Sequence, residues 1–300
     1  MKIEILPPQG INELGSRQNQ EDSLFPTVGA ATASDRLFMV CDGMGGHDHG
    51  EVASQLVCDV LSAYLKEHWI DDGVLNDDVL LDAIDEVFSH MNALDDGSTR
   101  QMGTTLTLLA LHQGGATMVH IGDSRIYHLR PAEGRILYKS RDHSLAYDLF
   151  LAGELTLNEM ANYDKKNVIT RAIMPGMERQ PKMDIAHTTD IRPSDYFLLC
   201  SDGLLENMSD RQLLQLLSTD DPNDQKRQRL IAETQENADN HSAWLIQVGA
   251  VTVEDGDEAM KNDETKVRSN AMLYELVASQ KDRGFSWSRF MSKIWPFEKH

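Results

Sequence analysis

Cysteine is scarce in this chain, whose 300 residues carry only Cys41, Cys58 and Cys200. That is too few for a disulfide framework, and their spacing lacks the paired pattern of a zinc site. Cys41 and Cys200 lie inside apolar runs, so the thiols read as reduced and the chain as cytoplasmic. Basic residues are also short. The 28 Lys and Arg stand against 48 Asp and Glu, a formal charge of −20 that argues against a nucleic-acid partner. No apolar stretch approaches the roughly 20 residues that cross a bilayer. The N-terminus has no basic start leading into an apolar segment, so no signal peptide is expected. What remains is an ordinary globular composition, 41% hydrophobic, in a chain long enough for one large core or two small ones.

Two short apolar runs end alike. Phe38-Met39-Val40-Cys41 leads into Asp42-Gly43, and Phe197-Leu198-Leu199-Cys200 leads into Ser201-Asp202-Gly203. Both runs are too short for helices and read as buried strands, which delivers Asp42 and Asp202 to strand ends. Asp123 follows a third such run, Met118 to Gly122, and Asp239 stands just before Ala243-Trp244-Leu245-Ile246. One Asp-Gly after a strand signals a turn. Two copies with matching lead-ins leave turn and metal ligand evenly balanced. Carboxylates gathered at one place repel unless a cation neutralises them, and an all-oxygen set suits Mg²⁺ or Mn²⁺. Glycine directly after each aspartate lets the backbone approach closely enough for a carbonyl to join the ligands.

The order of the surrounding motifs decides between the two. Arg17-Gln18-Asn19-Gln20-Glu21-Asp22 comes first, then Val40 to Gly46 and His47, then Gly103-Thr104-Thr105 and Gly122-Asp123-Ser124-Arg125. Asp142-His143-Ser144, Asn167 to Ala172, Ser201-Asp202-Gly203 and Asp239-Asn240 follow in turn. This ordered set resembles the metal-dependent protein serine/threonine phosphatases of type 2C, the PPM family, and specifically their compact bacterial members, over residues 8 to 250.

The resemblance implies an α+β fold of four layers, α-β-β-α, in which helices flank a central antiparallel β-sandwich. It implies a phosphatase domain over residues 1–252 holding two Mg²⁺ or Mn²⁺ ions, with a third, weaker ion as an option. Asp42, Asp202 and Asp239 would be the main ligands, with the Gly43 carbonyl completing one coordination sphere. Glu21 or Asp22 would hold ion-bound water, and Asp123 with Glu206 would hold the third ion. Arg17 would grip the substrate phosphate, which its planar fork of donors fits. A water activated by both ions would attack phosphorus in line, with no covalent intermediate. The substrates implied are phosphoserine and phosphothreonine proteins that a bacterial serine/threonine kinase has modified. Two other functions compete: a catalytically silent phosphoprotein-binding module, which needs a broken metal set, and a two-metal hydrolase of other phosphoesters, for which no nucleotide-binding feature is visible.

Some residues depart from the family pattern. Many eukaryotic members carry histidine, a candidate proton donor, where this chain has Met44, and methionine transfers no proton. His47 and His49 are nearby, and solvated histidines at a helix start are the plainer account of both. Glu206 stands where an aspartate is common, and His241-Ser242 replaces a more apolar strand start.

Helical spacing is clear at Ala53, Val57, Val60, Leu61 and Tyr64, and again at Val79, Leu80, Ala83, Ile84, Val87, Phe88 and Met91. Leu106 to Leu111 and Thr117 to Ile121 read as strands, and Ser209 with Gln212 as a capping box opening a helix to Leu217. Residues 144 to 166 occupy the place of the family's variable flap, with Leu145, Leu149, Leu151 and Leu155 as anchors and Gly153 as a joint. A core helix is the competing account. Acidic residues from Glu254 to Glu258 read as a linker. The tail of residues 253–300 interleaves Phe285, Trp287, Phe290, Trp295 and Phe297 with Arg283, Arg289 and Lys293. Over residues 271–297 that pattern suits docking to a protein groove or to the inner face of a membrane, against the simpler account of a terminal helix packed on the domain.

Overall fold

The computed structural model describes residues 1–45, 49–69, 72–94, 102–165, 167–177 and 180–253. The acidic linker, the aromatic tail and His47 lie outside them. The chain opens with strands β1 (Lys2–Ile5), β2 (Gln9–Glu13), β3 (Ser23–Phe25), β4 (Leu37–Cys41) and β5 (Gly43–Met44), then helices α1 (His49–His68) and α2 (Asp77–Ala93). Strands β6 (Gly103–Thr104), β7 (Leu106–His112), β8 (Gly115–Ile121), β9 (Arg125–Arg130) and β10 (Arg135–Lys139) follow, then helices α3 (Leu145–Leu151) and α4 (Leu157–Ala161). Strands β11 (Asp184–Thr188) and β12 (Tyr196–Cys200), helices α5 (Asp210–Leu217) and α6 (Asn223–Thr234) and strand β13 (His241–Thr252) complete it.

The period of two along the strands sets the layers. In β4, Phe38 and Val40 face one way, into a cluster with Leu109, Phe197, Leu199, Trp244 and Ile246. Met39 and Cys41 face the other way, against Ala53, Val57, Leu61, Leu80, Ile84 and Phe88 of α1 and α2. In β12, Phe197 and Leu199 enter the first cluster, while Tyr196, Leu198 and Cys200 meet Leu213, Leu216, Leu217 and Leu230 of α5 and α6. Strands covered on both faces carry no polar alternation, which is why both runs read as continuous apolar stretches. One large sheet runs β11-β8-β7-β4-β3, the other β1-β13-β12-β9-β10 with β2 also on β13, and β5 and β6 form a two-stranded sheet of their own. Every strand pair among the described residues is antiparallel. The architecture is therefore α-β-β-α around a sandwich, as expected from the resemblance. Trp244 (1% exposed) meets Phe38 edge to face at 5.7 Å, tying the two sheets together. Burying a large apolar side chain to this degree stabilises by about 1.5–3 kcal/mol.

Local signals also appear where expected. Gln212 N–H donates to Ser209 Oγ and Ser209 N–H to Gln212 Oε1, closing the capping box at the start of α5. The segment after Ser144 forms two short helices with Gly153 between them at φ +80°, and its four leucines are half-buried, so it is no continuous core helix. Among the described residues no helix is long and apolar enough to cross a membrane.

Candidate active site

Strands β4 and β12 belong to different sheets but end at the same edge of the sandwich, so Asp42 and Asp202 come together across it. Asp42 is pinned through its backbone: its N–H donates to Thr105 Oγ1 at 3.0 Å, and its carbonyl accepts from Thr105 N–H and Thr104 Oγ1, each at 2.9 Å. The Gly103-Thr104-Thr105 motif thereby acts as a clasp on the aspartate. Gly43 admits no side chain, because a Cβ there would lie 2.3 Å from the Gly50 carbonyl oxygen and 2.4 Å from that of Glu21. Asp202 opens a 3-10 turn, Asp202–Leu205, and Gly203 is pressed as closely against the Asn240 carbonyl.

Asn240 joins the remaining pieces. Its Oδ1 accepts from Glu21 N–H at 2.9 Å, and its Nδ2 donates to the carbonyls of Leu14 and Asn19 at 2.9 and 3.0 Å. Residues 14–21 are thus stitched to the start of β13 beside Asp239. The sequence offered Asn240 and Ser201 as members of motifs without giving either a task, and Ser201 Oγ donates to buried Asp22 Oδ2 at 2.8 Å. Hydrogen bonds between distant segments leave no local pattern to read.

A cleft of about 690 Å³ is lined by Arg17, Asp123, Asp202, Glu206 and Asp239, with Tyr147 and Met160 of the α3–α4 segment on its wall. Arg17 Nη2 donates to Asp239 Oδ2 at 2.7 Å, an exposed pair (55% and 40%). That bond, more than Asp239's charge and those of Glu21 and Asp42, raises the guanidinium's pKa. Glu206 Oε2 accepts from Ala238 N–H at 2.8 Å, so one of its two oxygens braces the turn that carries Asp239. His49 opens α1, and Met44 lies in β5 paired with Gly103.

The acids form one electrostatic group. Burial, then the charges of Asp22, Asp202, Asp123 and Asp239, push Asp42 well above the usual carboxylate range. Burial, with Asp202 and Asp142 adding to it, raises Asp123 to about 8. Burial likewise lifts Asp22 to about 7 against the Ser201 and Ser242 hydroxyls, and burial and Asp239 raise Asp202. Asp22 Oδ1 and Asp123 Oδ1 are buried without a protein hydrogen-bond partner. Crowded carboxylates with orphaned oxygens and no sulfur or imidazole in the set fit hard divalent cations, which would remove both the repulsion and the vacant acceptors. One further gathering of potential ligands, His120, His143 and Asp184, lies behind Gly122 with its donor atoms within 4.8 Å of one another.

Known proteins share this organisation. The chain is 32% identical over 260 residues to the protein phosphatase PhpP of Streptococcus pneumoniae, covering 82% of this chain and 97% of that one. The crystal structure of the Mycobacterium tuberculosis serine/threonine phosphatase PstP/Ppp superposes with a TM-score of 0.68 at 31% identity, over 82% of this chain and 99% of that one. A structure of the PstP catalytic domain in complex with two manganese ions gives 0.64 at 30% identity, over the same shares. A family model described as Protein phosphatase 2C matches residues 10–247, the span from β2 to β13 that builds the sandwich and the acid-lined cleft, and the chain belongs to that family.

Proposed function

We propose that the cleft hydrolyses phosphoserine and phosphothreonine esters of proteins with the aid of two Mg²⁺ or Mn²⁺ ions, opposing a serine/threonine kinase. The observation that carries this is the group of mutually repelling carboxylates made by Asp22, which is buried, with Asp42, Asp202 and Asp239, which are partly buried at the cleft. Asp42, Asp202 and Asp239, with the Gly43 carbonyl, would hold the ions, Glu21 and Asp22 would orient water beside them, and Asp123 with the free oxygen of Glu206 would offer a weaker third position. Divalent ions held there supply Lewis-acid stabilisation of phosphoryl oxygens and a water acidic enough to attack at neutral pH. Arg17, anchored on Asp239 at the cleft wall, binds the phosphate. Met44 has no proton to give, so it is not the group that protonates the leaving alkoxide. The silent-module alternative needs a damaged acid set, and this one is whole.

Purified protein assayed on a phosphothreonine peptide tests the proposal: turnover should require added Mn²⁺ or Mg²⁺ and stop in chelator. Full activity after exhaustive metal removal overturns it. Arg17→Ala should mainly raise KM. The pair is half exposed, so the loss should sit at the lower end of a charged hydrogen bond, about 1.5–2 kcal/mol or roughly 10–30-fold. An unchanged KM would place Arg17 outside the phosphate site.

Residues 1–252 would suffice for catalysis, since the family match ends at 247 and β13 ends at Thr252. Residues 253–300 would then govern location or partner choice, at the cytoplasmic face of the membrane or on a protein. Removing residues 265–300 should leave peptide hydrolysis nearly intact. Co-sedimentation with anionic vesicles should separate full-length from truncated protein if the aromatic and basic residues dock on lipid. Equal, negligible binding together with a lower Tm for the truncated form would make the tail part of the fold.

A further inference from the structure

Asp142-His143-Ser144 has no task in the chemistry above, yet two of its members grip the turn that carries Asp123 from both sides. Asp142 accepts two bonds from Arg125, from Nε at 2.7 Å and Nη2 at 2.6 Å. His143 meets Gly122 twice: its backbone N–H donates to the Gly122 carbonyl at 2.8 Å, and Gly122 N–H donates to its Nδ1 at 3.0 Å. An amide N–H can only donate, so Nδ1 is the unprotonated nitrogen and the neutral ring carries its proton on Nε2. Nε2 faces Asp184 Oδ2 at 3.4 Å. Arg171 Nη1 lies 3.1 Å from Nε2, but its two protons have acceptors in the Lys182 carbonyl at 3.1 Å and Asp184 Oδ1 at 3.2 Å. The ring is buried, 2% exposed, and stacks on His120 at 4.5 Å, so it has no room to swing away.

A metal on His120, His143 and Asp184 is the rival account. It would need the Nε2 lone pair of His143, which the tautomer imposed by Gly122 removes. Asp184 is also already shared by Arg141 at 3.5 Å and Arg171 at 3.2 Å, and two guanidinium groups repel an incoming cation.

We propose that His143 is a positioning residue: by accepting from Gly122 N–H it fixes the turn that aims Asp123 into the cleft, and Asp184 holds the ring in the accepting tautomer. The turn needs such a hold. Gly122 sits at φ +108°, and a Cβ there would lie 2.5 Å from Thr105 Cγ2, so the position demands glycine, the residue that defines its own backbone least. The His143 carbonyl also accepts from Thr170 N–H at 2.8 Å, while Leu145 N–H donates to the Val168 carbonyl at 2.8 Å. One residue therefore anchors both the Asp123 turn and the base of the α3–α4 segment that walls the cleft. The effect on turnover rests on the phosphatase proposal; the effect on the turn does not.

Asparagine and glutamine separate the two ring nitrogens, because Asn Oδ1 reaches the place of Nδ1 and Gln Oε1 that of Nε2. In full-length protein with chelator, hydrogen exchange at the Gly122 amide should be near normal in His143→Asn. It should be at least about tenfold faster in His143→Gln, with β12 amides unchanged in both. On a phosphothreonine peptide with saturating Mn²⁺, His143→Gln should lower kcat at least about fivefold with KM little changed, and His143→Asn should restore it. Normal Gly122 exchange in His143→Gln, or asparagine no better than glutamine in both measurements, overturns the proposal. Should His143→Gln fail to fold, Asp184→Ala decides: faster exchange at Gly122 supports the proposal and normal exchange overturns it. If wild-type protein does not hydrolyse the peptide, the phosphatase proposal fails, and the exchange rates alone still decide the role of His143.

Discussion

Replacing Asp42 or Asp202 with asparagine is expected to lower turnover by on the order of 10²-fold or more while leaving the metal-free protein at least as stable as the wild type. The two halves have one cause. Each aspartate sits partly buried among other acids, so its charge is costly without a cation, and a neutral side chain of the same shape removes that cost. The same charge is what would hold the ions that drive hydrolysis. A purely structural aspartate gives the opposite pairing, with lower Tm and activity falling only as the fold does. The measurements are kcat on a phosphothreonine peptide with Mn²⁺ and Tm in chelator. Near-normal turnover in both variants would dismiss the ligand assignment.

A second large effect is expected in stability. Asp22 at about 7, Asp123 at about 8 and Asp42 held well above the usual carboxylate range compare with about 3.9 for an unfolded aspartate. At neutral pH the folded, metal-free protein holds more protons than the unfolded chain, so its stability falls as pH rises toward the folded values. Burial holds His112 and His120 near 4, which acts in the opposite direction but only below about pH 6.5, where an unfolded histidine begins to charge. Burial raises Asp195, yet bonds from His128 and Arg130 bring it to about 2, so its contribution is constant near neutrality. Between pH 6.5 and 8.5 the acid group dominates. Tm in chelator should drop across that range, by up to about 1.4 kcal/mol of stability per pH unit for each group still titrating. Mn²⁺ added at the high end should reverse the loss, because it binds the ionised cluster of the folded state alone. A flat profile that Mn²⁺ leaves unmoved would mean the carboxylates do not share one buried site.

Much of the fold was legible because its signals are local. Leu80, Ala83, Ile84, Val87, Phe88 and Met91 repeat at helical spacing, and all six are buried on one face of α2. The Ser209 capping box needs three intervening bonds along the chain and no tertiary partner. Other features had no local signature. The N-terminal half of β13 pairs with β2 and its C-terminal half with β1, an arrangement invisible in a single apolar run. Residues 144–166 could be a flap or a core helix on spacing alone, and the break at Gly153 between two short helices, with Leu145, Leu149, Leu151 and Leu155 half-buried, separates them.

The candidate site divides in the same way. Residue type and order along the chain determined which aspartates follow strands, which glycines stand beside them and that the donors are oxygens suited to hard cations, since these are properties of neighbouring residues. Tertiary structure alone decided that Asp22 is buried, that Arg17 reaches Asp239 across 222 residues and that His143 closes on Gly122. Those contacts, and the pKa shifts that come with them, exist only once the two sheets close. Desolvation and charge repulsion depend on distance in space, and separation along the chain carries no information about it.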